Sequence, residues 1–254
     1  MTLSAETVPA PIMSPTRSPS FIDLRAFAAE VKERLHALAQ GQKDDGFLSN
    51  RIALLNAEGD TPVAALHLSA DSGCVDALPH DEFIVVLDGR LSLVAGRQAY
   101  VLDANDAAVI PHGCRFTWRA EEAVTAIILR YPESRPGGRT ITPIRKDPPL
   151  APSGKPAPEV LLGPAPDCRN FNDYRVDEGK FVCGTWDSTP YRRRGFLYGH
   201  YEIMLISQGA VTFGDEHGRS GTFGEGSLVL AEAGSHCSWD SAVPVTKIFA
   251  IYRT

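Results

Sequence analysis

Cysteine is scarce in this chain and poorly placed for a scaffold. There are five, Cys74, Cys114, Cys168, Cys183 and Cys237, an odd number with no CxxC pair. That argues against a disulfide framework and against a zinc ribbon or finger. Free thiols in a reducing cytosol are the simplest expectation. No apolar run is long enough to span a bilayer. Residues 1–20 carry Pro and Ser but no apolar core of a signal peptide, so a disordered tail on a cytoplasmic protein is expected. Charge of one sign is also lacking: the net charge of −6 gives no electrostatic case for nucleic acid or an anionic membrane as partner. There is no GxSxG elbow, P-loop, GxGxxG or HExxH, so triad hydrolysis and nucleotide binding have no support. What remains is an ordinary soluble composition, 43% apolar and 22% charged, in 254 residues, enough for two domains.

The dominant positive feature is an internal repeat. Glu82 and Gly89 match Glu202 and Gly209 at an offset of 120. Gly113, Trp118 and the run Val124-Thr125-Ala126-Ile127 ending at Tyr131 match Gly234, Trp239 and Val245-Thr246-Lys247-Ile248 ending at Tyr252, at an offset of 121. One residue is therefore inserted between the two sets, and the chain reads as two copies of one β domain.

Residues 21–41 carry Leu24, Phe27, Ala28, Val31, Leu35 and Leu38 at helical spacing, with Ser20 and Asp23 resembling a capping box and Gly41 a stop. One amphipathic helix packed outside a barrel or sheet is expected. Short apolar or alternating runs at 52–55, 63–68, 83–87, 91–94, 99–102, 107–110 and 123–131 read as strands of an N-terminal domain over 51–131. Residues 132–170 hold ten prolines and read as an extended connector. Strands resume in a C-terminal domain over 171–254, at 181–186, 196–206, 211–213, 228–230 and 245–252, with a hairpin turn at Asp215-Glu216-His217-Gly218.

The repeated unit resembles the cupin superfamily. Glu82 to Gly89 and Glu202 to Gly209 match the end of its first motif, a His pair followed by Glu, six residues and Gly. Asn105-Asp106 through Pro111-His112-Gly113 matches the second motif, and Gly226 through Glu232-Ala233-Gly234 matches it more loosely, with Glu at the Pro position. Trp five residues after that Gly, then a closing strand ending in Tyr, is similar to the EutQ and ureidoglycine aminohydrolase-like cupins. The resemblance implies an all-β fold of two tandem RmlC-like jelly-roll barrels, a bicupin, with an N-terminal helix. It also implies a divalent metal held by the His pair, the Glu and a second-motif His. The positions of those histidines fall near Asp76, Leu78 and Phe116 in the first half and near Phe196, Tyr198 and Cys237 in the second. The usual ligand set is absent from both.

On a regular strand Tyr198, His200 and Glu202 share one face. With Cys237 on a facing strand, His200, Glu202 and Cys237 form a candidate three-ligand set for one divalent transition metal. The alternative is a hydrogen-bonded polar cluster. His200 and Glu202 are the acid–base candidates, and Trp186, Tyr198, Arg194 and Trp239 the candidates for substrate contact. Arg192-Arg193-Arg194 otherwise reads as a solvated charge run, and the paired Trp118 and Trp239 as core. His80 and Glu82 repeat the His-x-Glu spacing and mark a candidate N-terminal pocket. The expectation is a bicupin that acts on or binds a small polar metabolite, with its site in the C-terminal barrel; by analogy this lies in amine or other nitrogen-compound catabolism. The alternative is an inactive bicupin that binds a metabolite or supports a partner enzyme. A monomer or homodimer fits either.

Overall fold

The computed structural model describes residues 17–41, 45–57 and 59–254. Most described residues lie in antiparallel strands, arranged as two copies of one topology. In the first half the larger sheet runs Thr142–Pro143, Ala107–Ile110, Asp81–Asp88, Val124–Tyr131, Gly59–Leu68, Arg51–Asn56. In the second it runs Phe21–Asp23, Leu228–Ala231, Tyr201–Gln208, Val245–Tyr252, Phe181–Ser188, Cys168–Val176, Ala151–Pro152. Each is faced by a four-stranded sheet: Asp71–Val75, Phe116–Ala120, Leu91–Ala95, Gln98–Leu102 in the first half, and Tyr191–Leu197, His236–Ser241, Ala210–Gly214, Ser220–Gly224 in the second. These are two jelly-roll barrels.

The repeat extends to single hydrogen bonds. Leu78 N–H donates to the Cys114 carbonyl (3.0 Å) and Gly113 N–H to the Leu78 carbonyl (2.8 Å); Tyr198 with Ser235 and Gly234 with Tyr198 do the same at 2.8 Å each. Gly89 and Gly209 both sit at positive φ, +79° and +80°. A Cβ there would meet the carbonyl oxygen of Ala123 at 2.3 Å and of Pro244 at 2.1 Å, so only glycine fits. The inserted residue lies in the hairpin tips: Val94 pairs with Ala99, but Gly214 pairs with Ser220 across the Asp215–Arg219 turn.

Strand alternation sorts the side chains. In Asp81–Asp88 and Tyr201–Gln208, Phe83, Val85, Ile203 and Leu205 join one core shared by both larger sheets, while Ile84, Val86, Met204 and Ile206 point into their own barrels. Glu82 and Glu202 are in phase with the second group.

The N-terminal segment differs from expectation. Residues 1–16 lie outside the described set, but 17–20 are fixed. Arg17 makes a bidentate ion pair with the fully buried Glu232 (2.6 and 2.8 Å), whose Oε2 also accepts the Ser20 N–H (2.9 Å). Glu at the motif's Pro position is thereby explained: it clamps the arm. Phe21–Asp23 then adds a strand to the edge of the C-terminal sheet. The helix consequently begins later than expected, at Leu24, capped by the Asp23 carboxylate accepting from Arg25 and Ala26 N–H. It is interrupted at Val31, giving Leu24–Glu30 and Lys32–Gly41. Leu24, Phe27, Ala28, Val31 and Leu35 enter the shared core. The Pro-rich connector is pinned to both halves, through Thr142–Pro143 on one sheet, Ala151–Pro152 on the other, and Leu161 bridging to Arg193.

Removing one partner of a buried ion pair leaves the other charge uncompensated. Glu232→Ala is therefore expected to cost about 3 kcal/mol, measured by denaturant unfolding.

Candidate functional site

Alternation carries Glu202 into the C-terminal barrel, and Lys247, on the inward face of the neighbouring closing strand, reaches along the sheet to it. Trp186 and Lys247 are cross-strand partners. The Lys247 ammonium lies 2.8 Å from Glu202 Oε1, 4.8 Å from the Trp186 ring centre and 5.2 Å from that of Trp239. Both charged groups are buried. Burial alone would raise the Glu202 carboxyl, but the charge of Lys247, with His200 adding to it, outweighs burial and holds the group far below the usual carboxylate range.

These groups line a cavity of about 340 Å³ with Tyr191, Arg193, Tyr198 and Phe249. That is within the size range of small-molecule sites, roughly 300–1,000 Å³. Arg193 is buried on the inward face of Tyr191–Leu197, while Arg192 and Arg194 alternate outward. Its guanidinium donates to the Tyr198 hydroxyl (2.6 Å) and the Cys237 carbonyl (2.9 Å) and stacks 4.1 Å over Phe196. Burial raises the Tyr198 hydroxyl despite that neighbour, so it stays protonated.

The structure places the expected residues as follows. Trp186, Tyr198, Glu202 and Trp239 line the cavity. Residues 198–200 interrupt the expected continuous strand, which divides into Tyr191–Leu197 and Tyr201–Gln208. His200 nevertheless stays beside the cluster, its ring 5.5 Å from Tyr198 and Nε2 3.5 Å from Glu202 Oε2, a contact at the limit of hydrogen bonding. It is not part of the cavity wall. Arg194 is exposed, and the arginine at the site is Arg193. Trp239 is both core and wall, as its Tyr191 and Phe213 contacts show.

The set His200, Glu202 and Cys237 is not assembled. Among the described residues no three His, Cys, Asp or Glu side chains converge to hold a metal ion. The buried Cys237 thiol is turned to Ser235 and the Phe21 backbone, and burial raises it. The retained glutamate already carries the Lys247 ammonium. In the first barrel Glu82 receives both Arg51 nitrogens (2.6 and 3.0 Å), with Arg130 at 3.6 Å. A side-chain cation sits on each retained carboxylate, so neither donor set fits a divalent ion.

The first barrel also supplies an internal control. Where the second has Trp186 opposite Lys247, the first has Leu66 opposite Ala126, and Leu78 stands in the place of Tyr198. Leu66, Leu78, Phe116 and Ala126 belong to one packed apolar core. His80 is half-buried beside His112, with burial and then Arg130 lowering its basicity.

Residues 176–249 match the EutQ-like cupin domain. A protein of unknown function from the DUF861 family of Pseudomonas syringae pv. tomato superposes with a TM-score of 0.70 at 29% identity, over 75% of this chain and 82% of that one. Salicylate 1,2-dioxygenase from Pseudaminobacter salicylatoxidans gives 0.58 at 9%, over 98% and 87%. A cupin 2 conserved barrel domain protein from Leptotrichia buccalis gives 0.55 at 7%, over 94% and 100%. The last two are likenesses of fold. No curated protein matches the chain. Among the described residues no helix is long and apolar enough to cross a membrane.

Glu202→Gln and Lys247→Met are each expected to destabilise the protein by about 3 kcal/mol, because each leaves a buried partner unpaired. Since the Glu202 carboxyl is depressed in the folded state, its contribution is complete above the ordinary Glu range, about pH 4.3, and is lost as pH falls below it. Acid unfolding followed by circular dichroism should therefore be flatter in Glu202→Gln than in the native protein. The repeated fold and the EutQ-like match together show two jelly-roll barrels in tandem with the fold of cupin proteins, the second bearing a EutQ-like cupin domain.

Proposed function

We propose that the C-terminal barrel binds a small polar metabolite, with Lys247 as the charged group that meets it. The observation that carries this is the asymmetry between the two copies. Both barrels bury an ion pair on the retained glutamate and a tryptophan on the facing sheet, but one packs Leu66, Leu78 and Ala126 where the other keeps Trp186, Tyr198 and Lys247 around a cavity. The first barrel folds with apolar side chains at the positions of Trp186, Tyr198 and Lys247, and burying an ammonium has a desolvation cost.

In an enzyme built on this site, Lys247 stabilises negative charge that develops on a ligand oxygen. Glu202 holds the ammonium in place. Its depressed carboxyl makes it a poor proton carrier near neutrality, so the acid–base role falls to His200, reaching the ligand only through Glu202 or water. Membership in amine or other nitrogen-compound catabolism is supported by the EutQ-like match alone. The absence of His200 from the cavity lining favours a second reading, a binding or accessory bicupin without turnover.

The test is a thermal-shift screen of small polar metabolites, followed by NMR detection of turnover for each hit. Lys247→Met is expected to abolish the shifts. The enzyme reading expects His200→Ala to bind hits normally and lose at least about tenfold in turnover. The accessory reading expects binding with no turnover in the native protein. Hits unaffected by Lys247→Met would place ligand binding elsewhere and contradict the proposal.

A further inference from the structure

We propose, building on the small-molecule reading above, that the ligand of this cavity is a planar organic anion. Five of the charged side chains on its described walls are cations, Lys155, Arg175, Arg193, Lys247 and Arg253, against the single carboxylate of Glu202. Lys155 is balanced by Asp167 at 2.9 Å and Lys247 by Glu202. The other three make their hydrogen bonds to neutral oxygens: Arg175 to the Glu178 carbonyl, Arg253 to the Gly179 carbonyl, and Arg193 to the Tyr198 hydroxyl and Cys237 carbonyl.

Arg193 is the informative one. Among the described residues the half-buried Arg17 and Arg51 are each met by a glutamate at 2.6 Å, and the half-buried Arg25 bonds neutral oxygens only, those of Leu87, Asn105 and Gly226; Arg193 is more deeply buried than any of them. Arg193 is 6% exposed and has no carboxylate in ion-pair contact among the described residues. A buried cation without a counter-charge is costly, and an anion entering the cavity removes that cost. The guanidinium's remaining N–H groups and the Lys247 ammonium suit a carboxylate.

The apolar part of the ligand is set by the aromatic wall. One face of Trp239 is covered by the stacked Tyr191, at 5.6 Å and 17°. Trp186 is half-buried, stands at 83° to Trp239 and fronts the cavity. A flat ring has a surface to lie on there, beside the cationic groups. A free amine would meet repulsion from the same groups.

The experiment is a tryptophan-fluorescence titration of the native protein with benzoate, benzamide, benzylamine and cyclohexanecarboxylate. Benzoate is expected to give a saturable change, absent in Trp186→Phe. Benzamide and cyclohexanecarboxylate should bind at least about tenfold more weakly, and benzylamine not at all. Lys247→Met and Arg193→Gln, each first shown to be folded by circular dichroism, should weaken benzoate at least about tenfold; should either fail to fold, the charge series on the native protein decides. Benzamide or benzylamine binding as tightly as benzoate would overturn the anion assignment and leave the small-molecule site standing. Cyclohexanecarboxylate equal to benzoate would overturn the planar requirement. No saturable change with any of the four would overturn the proposal and count against the site as well.

Discussion

A buried ammonium–carboxylate pair governs what the C-terminal barrel can hold. Lys247 and Glu202 meet at 2.8 Å from inward positions of neighbouring strands, beside two indole rings. The pair fixes the ionisation of Glu202 and occupies the carboxylate against a metal. It also keeps the neighbouring wall polar enough for a cavity to persist. The N-terminal barrel shows the other outcome. There the buried glutamate is held by Arg51 and Arg130 in place of a lysine, and the interior packs around Leu66, Leu78 and Phe116.

The rest of the architecture holds that site rigidly. The larger sheets of the two barrels pack their outward faces into one core, with Ile203 and Leu205 flanking the inward Glu202 and Met204. The arm that precedes the helix is tied to the far barrel by Arg17 and Glu232 and adds an edge strand there. Arg25 then joins the equivalent turns of both copies, reaching the Asn105 side chain and the Gly226 carbonyl. The two halves are thus bound by chain crossing as well as by burial, and the cavity sits on a frame with few independent parts.

Much of this was legible in the sequence. The repeat, the two barrels and the positions of most strands follow from Glu–Gly spacing, alternation and turns, because those reflect local backbone demands such as the positive φ at Gly89 and Gly209. Tyr198, Glu202, Trp186 and Trp239 were recognisable as wall residues. Arg194 was the wrong arginine. Alternation from the buried Tyr191 puts Arg193 inward, but a run of three like charges hides a strand. Lys247 was missed although the repeat aligns it with Ala126, a replacement of a methyl by an ammonium in the middle of a core strand. Cys237 and His200 were expected at one point in space, and side-chain direction, which the sequence does not encode locally, separated them. The late start of the helix depended on a long-range strand pairing with residues 229–231.

The central claim is that the Lys247–Glu202 pair serves the ligand and not the fold. The most direct measurement is the unfolding free energy of the double variant Glu202→Leu, Lys247→Met, which replaces the pair by apolar groups of similar size. The account predicts a stability equal to or above that of the native protein, by up to about 3 kcal/mol, as for other buried pairs replaced by well-packed apolar groups. A loss of more than about 2 kcal/mol would show that the barrel needs the pair to fold, and would contradict the account.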